Sequence, residues 1–189
     1  MFGLRHRALL LGIFMLLCIA SPAAATPPPT GGAEYGAEPV SESRETVPGT
    51  KAVLLKNGLA AAPADAPPEV QEAVWAANKL QDKPYRYGGG HGSFEDDGYD
   101  CSGTISYALN AADVLKRPLD SGSFMRYGAS GKGDWITIYT NPGHAYVVIA
   151  GLRLDTSSAG DRVNRGRGPR WRASGRPTRG FKVRHPLGF

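Results

Sequence analysis

A chain of 189 residues, 41% of them hydrophobic, is long enough for one domain with a buried core and too short for two domains of ordinary size. The net charge of +5 is concentrated at the C-terminal end, because residues 161–189 contain eight Arg and one Lys but a single Asp. Since this basic segment carries no nucleic-acid-binding motif, we expect no nucleic-acid partner.

The first 25 residues are predicted to be a secretory signal peptide. Arg5 and Arg7 precede an apolar run over residues 8–20, and small residues follow at 23–25, which is the pattern of a cleaved signal. The run is shorter than the ~20 residues of a membrane span, so we expect no stable membrane insertion after cleavage. A retained N-terminal anchor is the alternative. Cleavage would remove Cys18 and leave one cysteine, Cys101, in a secreted or cell-wall-associated protein.

Residues 26–67 are rich in Pro, Ala, Gly and Glu, with one short apolar stretch at 52–55. Such a composition cannot bury enough surface to offset the entropy of ordering, so this segment is predicted to be a disordered spacer. The folded domain is then predicted to occupy residues 68–189.

Two helices are predicted at the start of this domain. The first covers the segment from Pro68 to the residues before Pro84, where apolar side chains recur at helical spacing: Val70, Ala73, Val74, Ala77 and Leu80. A glycine-rich loop follows. The second helix begins near Ser102, with an apolar stripe formed by Ile105, Ala108, Leu109 and Ala112. Cys101 therefore lies at the N-terminal end of the second helix.

Extended segments dominate the rest of the chain. Residues 135–140 and 144–151 are β-branched and aromatic, and the Asn-Pro-Gly between them predicts a hairpin. Residues 152–157 predict a third strand, and residues 180–185 could complete the sheet. Helices followed by strands indicate an α+β fold, with the N-terminal helices packed on one face of a mainly antiparallel sheet.

Cys101 is a candidate nucleophile because of its place at the helix start. The unpaired backbone N–H groups and the positive end of the helix dipole favour a thiolate there, and the same N–H groups could stabilise an oxyanion. His144 is the candidate base, with His91 and His185 as alternatives. Alternation places His144 on the strand face of Tyr146, and a helix packed on that face would bring thiol and imidazole together. The alternative is a structural Cys101 and a His144 that only caps its strand.

A third group is expected to orient the imidazole. Asp155 is favoured by chemistry, since a carboxylate holds the ring tautomer and stabilises an imidazolium, and we predict that Asp155 has this role. Thr156 is favoured by periodicity, since it shares a strand face with Leu152 and Leu154.

These residues resemble the NlpC-type cell-wall cysteine peptidases, a papain-like family. The matching pieces occur in the family's order over roughly residues 70–157: a helix followed by "PYRYGG", "DCSG" at a helix start, Gly-Asp before a strand, "GHAYVVI", and a short strand with a third polar residue. The resemblance implies that Cys101 is the nucleophile and His144 the base. It also implies that Tyr85 lines the substrate cleft and that Asp100 lies near the free amine of the substrate.

The resemblance further implies hydrolysis of peptide bonds in peptidoglycan stem peptides, usually between D-glutamate and a diamino acid. We expect no metal or other cofactor, because Asp96, Asp97 and Asp100 lack the spacing of a calcium loop. Two features depart from the family pattern. Its third residue is usually His, Asn, Gln or Glu, some twelve positions after the histidine, which is the position of Thr156. The basic C-terminal segment has no counterpart, and it is either a solvated face or a binding site for anionic wall polymers. The alternative functions are an N-acyl amidase or acyltransferase with the same Cys-His chemistry, and a non-catalytic wall-binding module.

Overall fold

The computed structural model describes residues 44–159, 168–173 and 175–189. The predicted signal peptide, residues 26–43 of the predicted spacer and part of the basic segment lie outside the described residues. In the described part of the chain, no helix is long and apolar enough to cross a membrane.

Residues 44–67 are ordered, so the predicted disordered spacer is wrong for this stretch. They form a small sheet in the order β1-β3-β2, made of β1 (Thr46–Val47), β2 (Val53–Leu54) and β3 (Ala60–Pro63). The three alanines of β3 are at most 1% exposed, and Asn78 holds this strand by bonding both the N–H and the carbonyl of Ala60, at 2.8 and 2.9 Å. Composition failed here because alanine strands bury little area per residue and resemble linkers.

Both predicted helices are confirmed. The first is α1 (Pro68–Asn78), with proline in its first turn, and the second is α2 (Cys101–Ala111). A short third helix that was not predicted, α3 (Ser121–Phe124), begins after the capping side chain of Asp120. The predicted placement of Cys101 at the N-terminal end of a helix is therefore correct.

The main sheet has six strands, in the order β4-β9-β5-β6-β7-β8, and every neighbouring pair is antiparallel. Its strands are β4 (Ala129–Ser130), β5 (Ile136–Asn141), β6 (His144–Ile149), β7 (Leu152–Asp155), β8 (Arg170–Arg172) and β9 (Lys182–His185). The predicted β5–β6 hairpin is confirmed, as is the final strand. Strand β8 was not predicted, and it comes from the basic segment.

A two-residue turn, Ala150-Gly151, joins β6 to β7. Both residues have positive φ, 46° and 83°, as a type I′ hairpin turn requires. The turn pairs Ile149 with Leu152, and the register continues to Val147 opposite Leu154. Because paired residues point to the same face, Asp155 has the same orientation as Tyr146 and His144, whereas Thr156 has the opposite one.

Side chains from the helices and the main sheet form one buried core. It includes Ile105 and Leu109 of α2 together with Ile138 of β5 and Val147 of β6, all completely buried. The α+β architecture with a mainly antiparallel sheet is therefore confirmed. The core fixes α2 against β6, the strand that carries His144.

Candidate active site

Cys101 is the first residue of α2 and is partly exposed. The preceding residue, Asp100, is the N-cap: its Oδ1 accepts hydrogen bonds from the N–H groups of Ser102 and Gly103, at 3.0 and 2.8 Å. These two first-turn donors are therefore occupied. In the described structure no backbone acceptor binds the N–H of Cys101, which leaves it as the first-turn donor that can face a bound substrate.

His144 lies at the opposite side of the site, as the first residue of β6. Its Nε2 is 2.9 Å from Oδ1 of Asp155, and the Cys101 side chain lies close enough to the imidazole to raise its pKa. Since Asp155 occupies Nε2, Nδ1 is the nitrogen available to the thiol. The connector before His144 is held by Asn141, whose Oδ1 accepts the N–H groups of Gly143 and His144 at 3.0 and 2.9 Å.

The sequence analysis predicted the wrong face of β6 for packing against α2. The core shared with α2 contains Ala145, Val147 and Ile149, which have the opposite parity to His144. The thiol and the imidazole nevertheless lie close together, because Cys101 is the first residue of α2 and His144 is the first residue of β6.

His144 favours the charged form. Burial alone would lower its pKa, but the hydrogen bonds and the negative charges of Asp155 and Cys101 outweigh burial and raise the pKa from 6.5 to about 9. The imidazole is therefore poised as an imidazolium beside the sulfur at neutral pH. An imidazolium beside a cysteine sulfur favours the thiolate, which is the nucleophilic form of cysteine.

Asp155 is the third member of this group, and its side chain is fully buried. Its Oδ1 accepts the bond from His144 and a second one from the N–H of Ser157 at 2.8 Å, while Oδ2 accepts from Nη1 of Arg176 at 2.8 Å. Burial alone would raise the pKa of Asp155, but these three hydrogen bonds and the charge of His144 lower it. The carboxylate therefore stays ionised. Asp155, rather than Thr156, contacts the imidazole.

A cleft of about 400 Å³ opens beside Cys101. Tyr85, 42% exposed, and Asp100 both line it. Tyr87, 91% exposed, stands at the same cleft and was not singled out by the sequence. The motif "PYRYGG" could have predicted this position, because side chains two positions apart in an extended segment lie on the same face.

The two other candidate bases have different partners. Nε2 of His91 lies 3.1 Å from Oδ1 of Asp100 and 3.0 Å from the hydroxyl of Ser102, so this ring lines the cleft but is bound to the helix cap. Nδ1 of His185 faces the carbonyl of Gly131 at 3.1 Å. Of the three histidines, His144 is the one that interacts with both Cys101 and a carboxylate.

Arg176 is the contact of the site that sequence reasoning missed. It belongs to the basic segment, 21 positions after Asp155, in a stretch without periodicity. No local signal could have paired it with a particular carboxylate. With respect to metals, the described residues include no group of three or more His, Cys, Asp or Glu side chains placed to hold an ion.

Comparisons with known proteins found distant structural likeness only. No family model matches the chain, and no curated protein matches it in sequence. One similar solved structure is the peptidoglycan hydrolase RipB from Mycobacterium tuberculosis, with 19% identity over 64% of this chain and 66% of that one, and a TM-score of 0.49. Another is a hypothetical invasion protein of the same organism, with 21% identity over 64% and 63% of the two chains and a TM-score of 0.46.

The chain thus spans slightly less than two thirds of the length of these two proteins.

Proposed function

We propose that this chain is a secreted cysteine peptidase that hydrolyses peptide bonds in peptidoglycan stem peptides. The observation that carries the proposal is the series Cys101, His144 and Asp155, in which a cysteine at a helix start lies beside an imidazole that is hydrogen-bonded to a buried carboxylate. The ordered family motifs in the sequence support the same conclusion. The proposal includes a papain-like domain, with the N-terminal helices on one face of the sheet.

The proposed reaction begins when the Cys101 thiolate attacks the carbonyl carbon of the scissile bond. The oxyanion accepts a hydrogen bond from the N–H of Cys101, and the imidazolium of His144 gives its proton to the leaving amine as the C–N bond breaks. The acyl group is then held as a thioester. A water molecule then attacks this thioester, and His144 takes a proton from the water. The C–S bond breaks, which releases the carboxylic acid product and the thiolate. Asp155 stays ionised and keeps the imidazole in one orientation.

The cleft suits a peptide substrate with cationic or neutral groups. Asp100 and Asp120 supply acidic groups along its wall, and Tyr85 supplies an exposed aromatic face beside the nucleophile. These features support the family's usual bond, between D-glutamate and a diamino acid, as the preferred substrate. The basic C-terminal segment is proposed to favour contact with anionic wall polymers, and the location is proposed to be extracellular or cell-wall associated.

Two alternatives use the same residues differently. An N-acyl amidase would cut the link between sugar and peptide, and an acyltransferase would pass the thioester to an amine instead of water. A non-catalytic wall-binding module would retain the cleft without turnover. The favourable pairing of Cys101 with an ionised His144–Asp155 pair supports catalysis over the last alternative.

Cys101→Ala tests the proposal directly. Purified peptidoglycan is digested with the parent chain and with the variant, and the muropeptides are identified by mass spectrometry. We expect the parent to release truncated stem peptides and the variant to release none, with circular dichroism showing that it is folded. Cys18→Ala removes the other cysteine and should keep full activity. Intact released stem peptides would indicate the amidase, and equal digestion by C101A would refute a cysteine mechanism.

A further inference from the structure

Arg176 connects the basic C-terminal segment to the Cys101–His144–Asp155 group. We propose that Arg176 is a positioning residue, which holds the Asp155 carboxylate in the orientation that binds His144. This inference rests on the proposed function for its enzymatic readout, but the contacts that carry it are independent of the substrate.

The two oxygens of Asp155 have separate partners. Oδ1 accepts from Nε2 of His144 and from the N–H of Ser157, at 2.9 and 2.8 Å, and Oδ2 accepts from Nη1 of Arg176 at 2.8 Å. The nearest approach of Arg153 to Oδ2 is through Nε at 3.8 Å, which is longer than a hydrogen bond. Arg176 is thus the described hydrogen-bond donor to Oδ2, and it fixes the rotation of the carboxylate about its Cβ–Cγ bond.

The hydrogen bond between Arg176 and Asp155 is shielded from water. The Asp155 side chain is fully buried and that of Arg176 is 12% exposed, so water does not readily replace either partner. A buried carboxylate oxygen that loses its donor carries a large desolvation penalty. The carboxylate can reduce that penalty by rotating toward another donor or by taking up a proton. Either change would weaken its bond to His144.

Arg176 is itself held in place by aromatic rings. Its guanidinium carbon lies 5.0 Å from the ring centre of Tyr146 and 5.2 Å from that of Phe181, and the two rings pack edge to face. Phe181 also packs edge to face against His144. The guanidinium can make cation–π contacts with these rings and donate to Oδ2 at the same time, which an ammonium cannot do equally well.

The basic segment therefore contributes to the site through one of its arginines, in addition to any role of its surface charge. The segment returns to the sheet through β8 and β9, and Arg176 lies between these two strands. A side chain supplied from outside the matching motifs would explain how an Asp, rather than the family's usual third residues, is kept ionised and oriented here.

The test compares Arg176→Met, Arg176→Lys and the matched control Arg179→Met. Methionine keeps an unbranched chain over the two rings but removes the donor, lysine keeps charge and a donor, and Arg179 is an exposed arginine three positions away. We expect R176M to lower kcat on muropeptides about 10- to 100-fold with KM changed less than twofold, because the imidazole is misoriented. R176K should recover part of this loss. R179M should match the parent, because muropeptides carry no wall polymer for the basic segment to contact.

A second readout needs no cell-wall substrate. The rate at which iodoacetamide alkylates Cys101, followed by mass spectrometry of the Cys101 peptide, reports the activated thiol directly. R176M should slow this alkylation about tenfold at pH 7. If the parent is rapidly alkylated but inert toward peptidoglycan, the proposed substrate is wrong and the positioning role can still be judged.

Rates of R176M within twofold of the parent in both assays would overturn the inference. Should R176M fail to fold, R176K decides alone: a folded R176K with reduced kcat, unchanged KM and slower alkylation supports the role of Arg176, and parental rates overturn it. A loss that merely follows the folded fraction of each variant, measured by circular dichroism, also overturns it.

Discussion

At the residue scale, the site depends on how charge is distributed over a buried group. Asp155 faces an imidazolium through one oxygen and a guanidinium through the other, so its negative charge is neutralised from two sides. Its hydrogen bond and charge help to keep His144 protonated to about pH 9, against the effect of burial. A neutral side chain at position 155 would remove that support.

Asp155→Asn should therefore move the alkaline limb of the pH profile to lower pH. In the parent, kcat/KM is expected to fall as His144 loses its proton near pH 9. The asparagine lacks the negative charge that raises the pKa of His144, so the proton is lost at a lower pH. We also expect kcat at pH 7 to fall at least tenfold. The measurement is kcat/KM on muropeptides between roughly pH 5 and 10, a range that covers the loss of the histidine proton in both proteins.

Asp97→Asn is the matched control, because it makes the same chemical change at an exposed position. Its profile should superimpose on that of the parent. An alkaline limb of D155N at the parental position would show that Asp155 does not control the protonation of His144.

At the element scale, the start of α2 is fixed by a close approach to the glycine-rich loop. A Cβ on Gly103 would overlap the carbonyl oxygen of Gly89 and lie 3.1 Å from Cα of Gly90. The same loop carries Tyr85 and His91, which line the cleft. The helix that presents the nucleophile and the loop that forms the cleft wall are therefore held in one relative position.

Gly103→Ala should disturb both elements at once. Either the helix start or the loop must move, and we expect a loss of about 1–3 kcal/mol in the free energy of unfolding. Displacement of Cys101 relative to His144 should lower kcat at least tenfold. Gly92→Ala is the control, since its Cβ would meet no atom within 4 Å. Thermal melting and muropeptide assays check both effects, and a G103A protein with the stability and activity of G92A would contradict this account.

The elements that the sequence predicted well are those with strong periodicity. Helices α1 and α2 and the β5–β6 hairpin have regular apolar spacing and clear turn residues, so local pattern was sufficient. The ordered segment 44–67 was missed because its buried alanines have the composition of a linker. Its order depends on α1, through contacts such as those of Asn78 with Ala60, and composition carries no record of them.

The prediction of Asp155 over Thr156 was based on chemistry, and it could also have been argued from strand register. Counting register across a two-residue Ala150-Gly151 turn places Asp155, and not Thr156, on the face of His144. Periodicity within β7 alone favoured Thr156, because that pattern does not include the pairing of β7 with β6. The contact of Arg176 could not have been found this way, since it depends on how the C-terminal segment returns to the sheet.

At the scale of the whole molecule, Asn78 links three distant parts of the chain. Its Oδ1 accepts from the N–H of Ala60 and from Nε1 of Trp171, each at 2.8 Å, and its Nδ2 donates to the carbonyl of Ala60 at 2.9 Å. One amide at the end of α1 thereby joins the small sheet to β8. Trp171 is 2% exposed, so its indole N–H has little access to water as a substitute partner.

Asn78→Ala should therefore destabilise the whole domain and not only α1. Removing the amide leaves the Trp171 N–H and both backbone groups of Ala60 without their partner, and we expect the free energy of unfolding to fall by about 1–3 kcal/mol. Urea denaturation followed by tryptophan fluorescence measures this change. Asn57→Ala, which removes one exposed hydrogen bond to the N–H of Leu59, is the matched control and should change stability far less. Equal denaturation midpoints for N78A and N57A would show that β3, α1 and β8 are stabilised independently of this amide.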